Sequence, residues 1–199
     1  TRGSDPQQFT ALGNRVVFFA TESASGTEPW VSDGTTSGTQ LLKDIFPGQS
    51  GSIPDFLGTA SGRVYFSATD AGHGTELWAS DGTTAGTYLV RDINPGVASA
   101  TPGSLHTAAT LDGVLYFSAT DNNRGTQLWR SDGTLAGTFA VSDLGAGLNI
   151  CMHDLHALNG RLLFRNDDER GRARKWGVAD PNEIYTRDEL AKGDCIFAA

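Results

Sequence analysis

Four polar side chains share one frame of this sequence: Gln7, Asp55, His106 and His153 each precede a phenylalanine (Phe18, Phe66, Phe117, Phe164) by eleven residues. Two imidazoles and a carboxylate form a donor set for a divalent transition metal, with Gln7 or water completing the coordination. Asp55, His106 and His153 are therefore the candidate metal ligands. Gln7, Asp154 and His156 are the candidate ligand-binding residues beside them, the last two placed to orient a donor or carry a proton. The plainer alternative is that all of these residues open strands at the surface and are simply solvated.

Other chemistry is sparse. Asp33, Asp81 and Asp132 each precede Gly-Thr, and calcium would favour their oxygens. Each loop brings a single carboxylate, however, whereas calcium takes about 6–8 oxygen ligands. The expected role of these aspartates is to cap their own turns. Cys151 opens the last quarter and Cys195 follows its final strand. A disulfide between them is expected, with two buried free thiols as the alternative. It would close a loop of about 45 residues and stabilise by roughly 3–4 kcal/mol in the chain-entropy model. The sequence has no Gly-x-Ser-x-Gly elbow, no phosphate-cradling glycine loop and no Cys-x-x-Cys, so nucleophilic, nucleotide and dithiol chemistries lose their usual signatures. His73 reads as a turn residue, and the mixed charges of 165–175 as a solvated loop.

These side chains must be positioned by a repeat. Trp30, Trp78, Trp129 and Trp176 recur at intervals of 48, 51 and 47 residues, each twelve after its phenylalanine. A period near 50 marks a propeller or stacked array, in which each unit buries its faces against neighbours. In the second copy, 63–69 reads as a strand with bulky residues on both faces, 75–80 as its hairpin partner and 87–92 as a third strand. A fourth is expected near Leu105–Leu111 or its equivalents, just before the next opening strand. Asp81-Gly82 and Pro95-Gly96 supply the reversals. The fold class expected is all-β: a single four-bladed β-propeller over 1–199, with repeats at 5–50, 51–98, 99–148 and 149–199 of about four antiparallel strands each. A piece of a longer propeller or array is the alternative.

The run Glu76-Leu77-Trp78, Ser80-Asp81-Gly82-Thr83, Gly86-Thr87, Arg91-Asp92-Ile93, Pro95-Gly96 resembles the ELWxxDGT repeat of bacterial secreted and surface proteins. The first copy carries it from Glu28-Pro29-Trp30 to Pro47-Gly48, and the third from Gln127-Leu128-Trp129, with Gly145-Ala146-Gly147 in place of Pro-Gly. The fourth keeps Trp176 and Arg187-Asp188. The resemblance implies a propeller-like fold and an extracytoplasmic setting, and no particular reaction.

With 15 basic against 23 acidic residues, the net charge of −8 offers no general basic surface to a phosphate backbone, so nucleic acid is not an expected partner. No apolar run approaches the roughly 20 residues of a membrane-spanning helix, and no transmembrane segment is expected. The chain opens at Thr1 without methionine, as a secreted chain does after signal removal. The function expected is a secreted or surface-displayed, non-catalytic binding module that contacts a protein, a glycan or a copy of itself through blade-end loops. One alternative is a small enzyme or metal-binding protein built on Asp55, His106 and His153, with a divalent transition metal or calcium as cofactor. The other is a structural protein that assembles through blade edges.

Overall fold

The repeated phenylalanines sit inside the longest strands, where β-branched and aromatic residues fill both faces of the pleat. In the computed structural model, which describes residues 3–104, 107–143, 152–167, 173–179 and 185–186, these are β2 (Arg15–Glu22), β6 (Arg63–Asp70), β10 (Val114–Asp121) and β15 (Arg161–Asp167). Each hairpins into a strand carrying a tryptophan: β3 (Gly26–Ser32), β7 (Gly74–Ser80), β11 (Gly125–Ser131) and β16 (Ala173–Ala179). Each is preceded by a strand at the start of the repeat: β1 (Gln7–Leu12), β5 (Asp55–Ala60), β9 (Ala108–Leu111) and β14 (Met152–Leu158).

Adding β4 (Gln40–Leu41), β8 (Thr87–Arg91) and β12 (Phe139–Ala140) gives three four-stranded antiparallel meanders. The fourth repeat is a three-stranded sheet, β14-β15-β16, while β13 (Ser142–Asp143) pairs in parallel with β17 (Tyr185–Thr186). The all-β, antiparallel class is as expected. The strand expected near Leu105–Leu111 pairs with β10, so it opens the third sheet rather than ending the second. Short turns hold each strand to its next neighbour in sequence, and that decides the pairing.

The chain divides into two units, Thr1–Ser99 and Ala100–Ala199, and one packing rule recurs within each. In the first unit, Val17, Phe19, Val31, Leu42 and Ile45 of the first sheet pack on Val64, Phe66, Ala68 and Trp78 of the second. In the second unit, Tyr116, Leu128 and Val141 of the third sheet pack on Leu155, Leu162 and Phe164 of the fourth. Side chains alternate across a strand, so the neighbours of each strand serve opposite sheets. Phe18 is directly opposite Trp30, Phe66 opposite Trp78 and Phe117 opposite Trp129. In the fourth sheet Phe164 is opposite Gly177, and Trp176 opposite Arg165. The equal twelve-residue spacing there hides a register offset of one, so the expected equivalence of the four tryptophans fails in that copy.

Candidate functional site

The starts of β1, β5 and β14 are equivalent in backbone terms. Gln7 is opposite Phe19, Asp55 opposite Ser67 and His153 opposite Arg165, each being the residue after the repeated phenylalanine. Each strand then bulges, so that two residues face the phenylalanine. A bulge adds one residue and re-aims the side chains beside it.

The third copy has no bulge. Its β9 runs in continuous register from Ala108 opposite Phe117, and the Ser118 N–H donates to the Thr107 carbonyl at 3.0 Å. Thr107 therefore takes the place that counting assigned to His106. The longer 51-residue interval before Phe117 is absorbed in the segment from Ala100, whose carbonyl accepts from Thr120 N at 2.9 Å, to Thr107. His106 itself lies outside the described residues.

In the first unit the strand starts are joined by a residue that frame counting passed over. Gln8 Nε2 donates to Asp55 Oδ1 at 2.8 Å, and its Oε1 accepts from the Phe56 N–H at 2.8 Å. One side-chain amide thus acts as a rung between β1 and β5. Gln8 holds φ +54°, a left-handed value outside glycine's usual territory, at the cost of roughly 1–3 kcal/mol of strain. Asp154, its equivalent in β14, holds φ +53° and is half-buried. Gln7, Gln8, Asp55 and His156 are exposed. The expected metal ligands divide between the units, Asp55 in the first and His153 in the second. Among the described residues, no group of three or more His, Cys, Asp or Glu side chains stands close enough to hold a metal. Cys151 and Cys195 lie outside the described residues.

The Asp-Gly-Thr turns are bonded to themselves. Asp33 Oδ1 accepts from Thr35 N at 2.9 Å and Thr35 Oγ1 at 2.7 Å. The same pair of bonds recurs from Thr83 to Asp81 and from Thr134 to Asp132. The threonine hydroxyl holds all three carboxyls below their ordinary value. It also accepts the N–H of Gly38, Gly86 or Gly137 at 2.9 Å. A Cβ on Gly86 would fall 2.1–2.3 Å from the Asp81 carboxylate, which explains the glycine five residues after each aspartate. Capping of their own turns, the role expected of these aspartates, is what the hydrogen bonds show.

The motif glutamates have a role that sequence reasoning left unassigned. Glu28 is fully buried, and its carboxylate accepts from Phe46 N and Ser52 N, both at 2.9 Å, and from Ser52 Oγ at 2.5 Å. Burial nevertheless prevails and raises its pKa above the ordinary 4.5. Glu76 accepts from Ile93 N at 2.9 Å and Asn94 N at 3.2 Å. Each glutamate pins the Asp-Ile-x-Pro-Gly loop of its own repeat, satisfying N–H groups that no strand reaches. In the third copy the residue is Gln127, which donates to the Arg124 carbonyl at 2.9 Å. The one sequence signal for this role was recurrence of Glu before the tryptophan in two copies.

One concavity lies on the first sheet. A cleft of about 750 Å³ is lined by Phe9, Val16, Phe18, Ala20 and Trp30, with Arg15 and Asp33 at its edge. Phe9 stacks on Phe18 with ring centroids 5.2 Å apart and remains 62% exposed. Among the described residues, no helix is long and apolar enough to cross a membrane.

No known protein family matches the sequence, and no curated protein matches it. Solved structures do. The β-propeller domain of the Trilobed protease from Pyrococcus furiosus, described with an open velcro topology, superimposes with a TM-score of 0.54 at 11% identity, over 88% of this chain and 52% of that one. A putative exo-β-1,3-galactanase from Bifidobacterium bifidum (TM-score 0.42, 14% identity, 92% of this chain and 69% of that one) and an α-L-arabinofuranosidase from Clostridium thermocellum (0.38, 12%, 88% and 68%) are more distant in fold. The chain spans about half the length of the propeller it resembles. What the likeness to that propeller establishes is a β-propeller-type fold.

Proposed function

We propose that this chain is a non-catalytic binding module built from ELWxxDGT-type repeats as the blades of a propeller, works outside the cytoplasm, and binds through the starts of its first strands. The carrying observation is a division of labour among polar groups. Those that recur are taken up inside the fold, Asp33, Asp81, Asp132 and Glu76 within their own repeats and Glu28 by Phe46 of its own repeat and Ser52 at the start of the next. Those that differ between copies, Gln7, Gln8 and Asp55, stand exposed on a bulged edge. An amide bridged to a carboxylate presents paired donors and acceptors, which suits a hydroxyl-rich ligand. Of the partners expected from sequence, a glycan fits this edge best, with Asp154, the equivalent of Gln8, and the exposed His156 two residues on in the fourth repeat.

The test pairs an oligosaccharide array with chromogenic glycosides. The expected result is array binding without release of the chromophore, weakened at least about tenfold by Asp55→Ala, a change of roughly 1.4 kcal/mol. Turnover of a glycoside that Asp55→Ala abolishes would replace the binding module with an enzyme. Stoichiometric metal in the purified protein, lost in His153→Ala, would favour the metal site.

A further inference from the structure

The segments that lead into the first strands share a backbone peculiarity besides the bulges. The carbonyls of Ser4, Ser52 and Ala100 accept from the N–H groups of Thr21, Thr69 and Thr120 at 2.7, 2.9 and 2.9 Å, so Asp5, Ile53 and Thr101 occupy one position. All three hold left-handed φ values, of +40°, +46° and +47°. A proline follows each of them, which restricts the backbone before it further. Glycine takes a left-handed φ without strain, and asparagine or aspartate takes it readily. This chain puts glycine at left-handed positions throughout its turns, yet the position before Pro54 carries a β-branched, wholly apolar side chain. Such a φ is a genuine outlier for a residue of that shape.

The conformation of Ile53 is imposed from both sides. Ser52 is fully buried, with its N–H and hydroxyl donating to the Glu28 carboxylate, and Pro54 is buried. The Ile53 N–H itself donates to the Thr27 carbonyl at 3.3 Å. This anchoring leaves Ile53 71% exposed, so the strain is not repaid by burial. Strained residues held by over-determined surroundings concentrate where a ligand is gripped. Asp55, the carboxylate bridged by Gln8, lies just beyond Pro54.

We infer that Ile53 is the apolar contact of the glycan edge and selects a neutral sugar carrying a methyl-terminated group, as a 6-deoxyhexose or an acetamido sugar does. The inference rests on the glycan-binding reading and adds the substituent that the ligand must carry. Gln8 and Asp55 supply hydrogen bonds for hydroxyls, while a branched aliphatic side chain offers area for a methyl group and no flat ring for a sugar face. Asp5, the counterpart of Ile53, and Asp55 are both exposed, and their negative charge disfavours acidic sugars.

Calorimetric titration of the whole chain with matched oligosaccharides tests it. One pair differs in a terminal 6-deoxyhexose against the hexose, the other in an acetamido against a hydroxyl group. The expected result is a preference of at least about fourfold for the methyl-bearing member of one pair, the worth of one methyl group taken out of water. The pair that shows it identifies the substituent. Ile53→Asn abolishes the preference while the hexose binds as before, and it raises the unfolding midpoint because asparagine relieves the left-handed strain. Ile53→Val, still branched and apolar, keeps the preference. Failure of every oligosaccharide to bind would remove the glycan reading and this inference with it. Binding that Asp55→Ala weakens but that shows no methyl preference, or a preference that survives Ile53→Asn, would overturn the inference alone. A lowered midpoint in Ile53→Asn would also overturn it, by making the side chain part of the scaffold.

Discussion

The Asp-Gly-Thr turns and the starts of the first strands lie in the same repeats yet follow opposite logics. At the turns, three copies reproduce one hydrogen-bond network with donor–acceptor distances that agree within about 0.1 Å, from Asp33 to Thr35, Asp81 to Thr83 and Asp132 to Thr134. At the strand starts, Gln7, Asp55 and His153 share a backbone position and little else, and the third copy abandons the bulge altogether. A group whose hydrogen-bonding capacity is met inside its own turn has little left for a ligand. Identity between copies here marks scaffold, and difference marks the edge available to a partner.

The sharpest break between the two classes is in stability. Trp78, 6% exposed against Val17 and Phe19, should cost about 3–5 kcal/mol when replaced by alanine. Trp30, half-buried beside the cleft of the first sheet, should cost well under that. Urea unfolding of the two variants checks the order, and equal losses would mean that the first sheet is covered as fully as the second.

Next in size is Glu28. Its replacement by alanine leaves the buried N–H of Ser52 and the part-buried N–H of Phe46 without their acceptor, a loss of about 1–3 kcal/mol. Its pH dependence has a definite sign. Because burial raises the folded pKa above 4.5, the stability this group confers is fully present below 4.5 and is lost as pH rises through the raised value. Glu28→Gln should flatten that segment of the stability–pH curve. The turn aspartates act in the other direction. Their pKa values lie below 3.8 in the fold, so their contribution is present above 3.8 and is lost as pH falls through the lowered values. A curve with no difference between wild type and Glu28→Gln would remove the glutamate from the account.

Gly86→Ala should cost about 1–3 kcal/mol, as overpacking does, because its Cβ meets the Asp81 carboxylate. In a double-mutant cycle with Asp81→Ala the two losses should not add. Additive losses would place the strain elsewhere. Asp55→Ala and Gln8→Ala, both exposed, should each change stability by no more than about 0.5 kcal/mol.

Much of the scaffold was legible in the sequence because its signals are periodic. Phe18 and Trp30, twelve residues apart, are direct cross-strand partners, and the Asp-Gly-Thr spacing reported a turn that only glycine can complete. Single-residue changes of register were not legible. The bulges after Gln7, Asp55 and His153, the missing bulge before Phe117 and the offset at Trp176 alter no residue type. For that reason frame counting chose His106 over Thr107 and passed over Gln8. Phe9 was silent for a different reason: its equivalents Leu57 and Leu155 are also apolar, and only burial separates them.

The central claim is that recurring residues hold the fold while differing ones meet the partner. Its most direct test is to measure unfolding midpoint and oligosaccharide affinity together on Gly86→Ala and Asp55→Ala. The account predicts that Gly86→Ala loses stability and keeps its affinity, and that Asp55→Ala keeps its midpoint and loses at least about tenfold in affinity, roughly 1.4 kcal/mol. The reverse pattern, with affinity lost at the turn and stability lost at the strand start, would contradict it.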